Sequence, residues 1–235
     1  MRTVAVLPVK SFGRAKQRLG AAVGADERRA LADAMAGDVL EALGRVEGLE
    51  GVVVVSAEGP ALEAAHGSAE AGRSGAGARF ARSAPVEIVD DPEEAGQSAA
   101  ASRGISVAVA RGAQRVLLVP GDCPALDPAE VRQLLTGRER GVVIVPDRHG
   151  SGTNALLIAP PTALEPAFGP GSFARHAALA RAAGARVRIG RLPSLELDVD
   201  TPGDLAALRA ALAARSGGAP RTRALLAGIA SAHAA

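Results

Sequence analysis

Val116-Leu117-Leu118-Val119-Pro120-Gly121-Asp122-Cys123-Pro124 passes without interruption from an apolar run into an acid followed by a proline. Such a run, bounded by turn residues, reads as a strand buried on both faces, as in a parallel sheet covered by helices. Working outward from it, five more runs have the same character: Thr3 to Val9, Gly51 to Ser56, Val86 to Val89, Gly141 to Val145 and Asn154 to Ile158. Helical stretches separate them. Leu31, Met35, Val39 and Leu43 recur every four residues and put one apolar stripe on a helix between the first two strands. Gln97 to Arg111 and Pro128 to Leu135 read as further helices, and Ser172 opens another that runs to about Ala183. Pro202 opens the last, to about Ala213, with Thr201 at the N-cap and Asp204 at the capping-box position. Strands alternating with helices predict an α/β fold, a single-domain three-layer sandwich with a mainly parallel, twisted sheet.

The predicted domain spans residues 1–215, and residues 216–235 form a flexible tail or a short docking helix beyond a joint at Ser216 to Pro220. Gly67 to Arg82, rich in Gly, Ala, Ser and Arg, reads as a surface insertion. A chain of 235 residues buries a real core without cross-links, and its single cysteine excludes a disulfide framework. The chain is expected to be soluble and cytoplasmic, since the first apolar run is too short to cross a membrane and no signal-peptide pattern follows it. Net charge is +2, with an early basic cluster of Arg2, Lys10, Arg14, Lys16 and Arg18. With four Phe, no Tyr and no Trp to stack on bases, nucleic acid is a poor partner for that cluster. A small polyanion such as a nucleoside triphosphate fits it better.

In an open parallel sheet the site lies beyond the carboxyl ends of the strands. After the first strand stand Lys10, Arg14, Lys16 and Arg18. Neither the dinucleotide fingerprint nor the P-loop pattern occurs there, but a loop with several cations can wrap a triphosphate, Lys as a point charge and Arg as a fork. Asp122 follows the quoted run and reads either as a turn or cap for the helix starting near Asp127 or as a hard-cation ligand on substrate phosphates. Asp198 and Asp200 form a second acidic strand end and point the same way if extended, with dipole compensation at the next helix as the alternative for Asp200. Gly150-Ser151-Gly152-Thr153-Asn154 and Phe168-Gly169-Pro170-Gly171-Ser172-Phe173 are glycine-rich turns able to present backbone N–H groups to an anion. Cys123 reads as a small apolar filler, and His149 and His176 as lone exposed histidines flanking those turns. With no nucleophile and no evident base, the chain suits nucleotidyl transfer onto a phosphate, which needs neither. A phosphomonoester, with a second pKa of about 6, is already largely dianionic near neutrality.

Pro8-Val9-Lys10, Ala15-Lys16-Gln17-Arg18-Leu19, Gly121-Asp122-Cys123-Pro124, Gly152-Thr153-Asn154-Ala155-Leu156, Gly169-Pro170-Gly171-Ser172-Phe173 with His176, and Asp198-Val199-Asp200-Thr201-Pro202 with Asp204-Leu205, taken in order, resemble the 2-phospho-L-lactate guanylyltransferase and phosphoenolpyruvate guanylyltransferase family of coenzyme F420 biosynthesis. The resemblance implies the nucleotide-diphospho-sugar transferase type of fold, GTP as donor, a small phospho-acid as acceptor, Mg²⁺ and release of pyrophosphate. It implies Pro8, Val9, Lys10 and Lys16 against the nucleotide, with Lys10, Lys16 and Arg18 facing its phosphates, and Asp122 and Asp200 on the metal. It implies Thr153, Gly171 and Ser172 around the acceptor, for which bacterial relatives favour phosphoenolpyruvate. Gly96, Gln97 and Ser98 stand where many members carry Gly-Leu-Asn, so nucleotide contacts there are expected to differ in detail. A homodimer is compatible with this reading. Another nucleotidyltransferase of the same fold, of the molybdenum-cofactor guanylyl- or cytidylyltransferase type, would carry a glycine-rich first loop, from which Leu7-Pro8-Val9-Lys10 departs. A non-catalytic nucleotide-binding module is the reading from another class, disfavoured by acids at two separate strand ends.

Overall fold

The computed structural model describes residues 1–11, 16–20, 23–57, 84–137 and 140–232, so the expected insertion over Gly67 to Arg82, and Arg14, lie outside the described residues. Among the described residues seven strands, β1 (Thr3–Val9), β2 (Gly51–Ser56), β3 (Val86–Asp90), β4 (Arg115–Leu118), β5 (Gly141–Pro146), β6 (Thr153–Ala159) and β7 (Val187–Ile189), form one sheet in the order β3-β2-β1-β4-β6-β5-β7. The helices are α1 (Ala25–Gly44), α2 (Gln97–Ala110), α3 (Pro128–Leu135), α4 (Ser172–Ala182), α5 (Pro202–Ala213) and α6 (Pro220–Ala232).

Alternation along β1 and β2 sorts the core into two layers. Ala5, Leu7, Val9, Val52 and Val54 face α1 and α3, packing on Ala36, Val39, Leu43 and Val131. Val4, Val6, Val53 and Val55 face the other way, toward Ala101, Ile105 and Ala108 of α2 and, further along the sheet, Ala177 and Ala180 of α4. The sheet is thus the middle of three layers. A third apolar cluster joins Leu31 and Met35 of α1 to Leu205, Leu208 and Leu212 of α5 and to Leu226 and Ile229 of α6. Helix α6 begins on α1, where the buried Asp38 carboxylate accepts the N–H groups of Arg221 at 3.1 Å and Thr222 at 2.8 Å.

Three features differ from the expectation. β3 is an edge strand, half-buried from Val86 to Val89, because among the described residues it pairs only with β2. β6 runs antiparallel to β4 and β5, as the short turn from β5 into β6 requires. β7 is a short, largely exposed edge strand pairing in parallel with β5. The antiparallel β6 matters for function, because it brings the start of that strand, Thr153, to the end of the sheet where the parallel strands finish. Among the described residues no helix is long and apolar enough to cross a membrane.

Candidate active site

Beyond the carboxyl ends of β1 and β4 lies a cleft of about 530 Å³. Lys10, Lys16 and Arg18 line one side, Asp122, Asp198 and Asp200 the floor, and Thr153 with Gly169 to Ser172 the far wall. Local structure explains each placement. The backbone N–H of Val199 donates to the Asp122 carbonyl at 3.2 Å, which brings the second acidic segment alongside the first. Asp127, not Asp122, caps α3, accepting the Ala129 N–H at 2.8 Å. Thr201 and Asp204 cap α5, and Asp204 also accepts the N–H of Asp200. With both helix ends satisfied by other residues, the carboxylates of Asp122 and Asp200 are free to face the cleft.

Between them sits Lys16. Its Nζ is 2.6 Å from Asp122 and 3.0 Å from Asp200, and its side chain is only 7 % exposed. Burial disfavours the ammonium charge, but the two carboxylates outweigh it and hold the pKa above the ordinary lysine value. The residue takes a left-handed backbone conformation at φ 59°, which costs an L-residue about 1–2 kcal/mol. Lys10 and Arg18 stand exposed at the cleft edge. Burial, then the Asp122 charge, raise the pKa of Asp198, while Asn154 Nδ2 donates to it at 3.1 Å and works against the rise.

The far wall presents hydroxyls and glycine-rich backbone, with the Asp147 carboxylate beside them and, among the described residues, no cation. The turn between β5 and β6 is held by Asp147, which accepts the Ser151 N–H at 2.9 Å, and a Cβ on Gly152 would lie 2.8 Å from the Asp147 carboxylate and push it aside. Gly171 precedes α4 at φ 71°, and Ser172, 2 % exposed, is its first residue. The N–H of Phe173 donates to the Ser151 carbonyl at 3.2 Å, so the two glycine-rich turns are one unit.

Pro8, Val9, Lys10, Lys16, Arg18, Gln97, Asp122, Thr153, Gly171, Ser172 and Asp200 all line this cleft. Gly96 and Ser98 do not: Gly96, at φ 103°, is the residue before α2, and Ser98 Oγ accepts the Phe168 N–H at 2.9 Å. His176 departs from the expectation. It is fully buried rather than exposed, because position five of α4 turns inward onto Thr153. His149 is exposed. Cys123 is buried in the apolar layer under α1, and burial raises its pKa well above that of a free thiol, as suits a filler. Asn154, Asp147 and the contacts of His176 were not read from the sequence. The Asn directly after Thr153, at the mouth of a buried strand, was the available signal for the first.

The acids suit a hard divalent cation. Asp122 Oδ1 is buried with no hydrogen-bond partner, and a lysine ammonium already gathers Asp122 and Asp200 around one positive point. Among the described residues no group of three or more His, Cys, Asp or Glu is placed to hold a metal ion by itself. Two carboxylates with the remaining positions left to phosphate oxygens and water is the usual arrangement for Mg²⁺.

Known proteins resemble this chain along almost its whole length. The model of a family described as guanylyl transferase CofC like matches residues 3–73 and 78–211. A phosphoenolpyruvate guanylyltransferase of Conexibacter woesei is 49 % identical over 230 residues, 96 % of each chain. Another of the same name, from Sphaerobacter thermophilus, is 39 % identical over 206 residues, 87 % of this chain and 91 % of that one. Among solved structures, a protein of Desulfovibrio desulfuricans G20 assigned to the nucleotide-diphospho-sugar transferases superposes with a TM-score of 0.69 at 20 % identity, over 98 % of this chain and 96 % of that one.

Proposed function

The chain belongs to the CofC-like family of guanylyl transferases, and from that premise we propose that it transfers GMP from GTP to the phosphate of phosphoenolpyruvate, releasing pyrophosphate, on the route to coenzyme F420. The observation that carries this reading is one cleft that joins a cationic edge, a carboxylate pair and a cation-free wall of hydroxyl and glycine-rich backbone. The acceptor also agrees with the name borne by the Conexibacter and Sphaerobacter relatives.

The acceptor phosphate attacks as a dianion, so no side chain need take a proton. One of its oxygens bonds to the α-phosphorus of GTP while the bond from that phosphorus to the β-bridging oxygen breaks. The electron pair leaves with pyrophosphate. Lys10 and Arg18 meet the triphosphate, and Lys16 adds charge beside the leaving group. Asp122 and Asp200 are the residues that would hold Mg²⁺, which supplies charge neutralisation on the phosphates. Thr153 and the Gly169 to Ser172 turn orient the acceptor without placing a cation on its attacking phosphate, which would blunt it. Catalysis in this reading is alignment and charge stabilisation.

Mass spectrometry of products from GTP, ATP and CTP in competition, each with phosphoenolpyruvate, 2-phospholactate or 3-phosphoglycerate, tests it. A guanosine product with phosphoenolpyruvate should dominate. Equal use of ATP would remove GTP as the donor, and faster use of phospholactate would remove the acceptor ranking.

A further inference from the structure

His176 is a buried polar ring at the back of the acceptor wall, and the mechanism above gives it no task. Its Nε2 lies 2.9 Å from the backbone nitrogen of Ala167, and its Nδ1 lies 3.0 Å from Thr153 Oγ1. A backbone N–H can only donate, so Nε2 must present its lone pair. The neutral ring therefore carries its proton on Nδ1 and donates it to Thr153 Oγ1. That hydroxyl, with a lone pair engaged from behind, is left with its own proton to give, and Thr153 lines the cleft. The opposite tautomer would draw the Thr153 proton onto Nδ1 and leave only oxygen lone pairs facing an incoming anion.

We infer that His176 is a positioning residue, set in one tautomer by the Ala167 N–H, that fixes the Thr153 hydroxyl as a hydrogen-bond donor toward an anionic oxygen of the acceptor. This rests on the reading of the Thr153 wall as the acceptor site. Other contacts fit a ring held in one orientation. The Phe168 ring meets its edge with centroids 5.1 Å apart, and Arg175 fastens the same loop by donating to the Ala167 and Pro170 carbonyls, each at 3.0 Å. Burial, then the Arg175 charge, lower the His176 pKa to about 4, which keeps the ring neutral at working pH.

The polarity of the chain has a kinetic signature. One lost hydrogen bond to a charged group corresponds to roughly ten- to a hundredfold. Thr153→Val and His176→Phe should each raise the KM for phosphoenolpyruvate by about tenfold or more, with the Kd for GTP within about twofold of wild type. The double variant should be no worse than Thr153→Val alone, because both changes remove the same oriented proton. Multiplicative losses in the double variant, or an equal loss of GTP affinity, would overturn the inference. Removing the Ala167 acceptor can loosen the loop, so the tautomer is also read in the unmutated protein. Long-range ¹H–¹⁵N correlation of the histidine rings, assigned with single variants of His66, His149 and His233, should find His176 protonated on Nδ1 and bare on Nε2. A proton on Nε2 would overturn the inference while the acceptor site stands. An unchanged phosphoenolpyruvate KM in Thr153→Val, with the expected tautomer present, would instead remove the acceptor reading and the inference with it.

Discussion

Lys16, Asp122 and Asp200 set the charge balance of the cleft, and each has a distinct expected phenotype. Asp122→Asn keeps the size of the side chain and removes the charge that meets Lys16 at 2.6 Å. Turnover should fall by about two to three orders of magnitude, the scale seen when a preorganised charge-stabilising group is lost. Mn²⁺ affinity, followed by electron paramagnetic resonance, should fall with it. Near wild-type rates in Mg²⁺ would exclude Asp122 from the metal. His176 carries a pH signature separate from catalysis. Its folded pKa of about 4 lies below the ordinary 6.5, so between those values the unfolded chain binds more protons. Stability is therefore full above about pH 6.5 and is lost as pH falls toward 4. At pH 4.5 the loss should be about 2–3 kcal/mol relative to pH 7, read from urea midpoints, and His176→Phe should lack that component. The sequence pointed to Asp122 because an acid closely following a buried apolar run stands out, to Lys16 through the cationic stretch after the first strand, and to Thr153 through the glycine-rich turn that precedes its strand. It did not point to the burial of His176, since an α4 with alanines on several sides has no marked apolar face to say which way the ring turns.

At the scale of elements, one close approach decides how α2 sits. A Cβ on Gly104 would lie 2.3 Å from Val6 Cγ1 and 3.0 Å from Val55 Cγ2, so α2 rests against β1 and β2 through a bare backbone. Gly104→Ala should cost about 1–3 kcal/mol by overpacking, despite alanine's better helix propensity, and lower Tm accordingly. A stabilised variant would mean that the helix can shift outward freely. The strands of the central sheet were legible because burial on both faces makes them continuous apolar runs. Their direction was not, since an apolar run carries no polarity, and β6 reads the same parallel or antiparallel. β7 escaped because three residues that include an arginine on an exposed edge give no pattern.

Across the whole molecule, α6 joins the far end of the chain to the helix that lines the cleft. Met35 both borders the cleft and packs in the cluster that includes Leu226 and Ile229 of α6. Ending the chain after Arg215 would uncover those contacts and strip Asp38 of two N–H partners. Burial of two large aliphatic side chains is worth roughly 3–6 kcal/mol, and a loss of stability of that order is expected in chemical denaturation. A truncated chain as stable as the full one would mean that α6 is dispensable to the fold. In sequence this segment left a flexible tail and a docking helix equally open, because its large apolar residues are only Leu225, Leu226 and Ile229 and its partner surface on α1 is known only from the assembled fold.

Transfer in one cleft of the acceptor's own phosphate onto the α-phosphorus of GTP is tested most directly by ³¹P NMR of the reaction with phosphoenolpyruvate labelled with ¹⁸O in its phosphate. The expected result is a pair of coupled diphosphate resonances, with the isotope shift confined to the diester product and unlabelled pyrophosphate released in equal amount. Formation of GDP with inorganic phosphate, or label appearing in pyrophosphate, would contradict it.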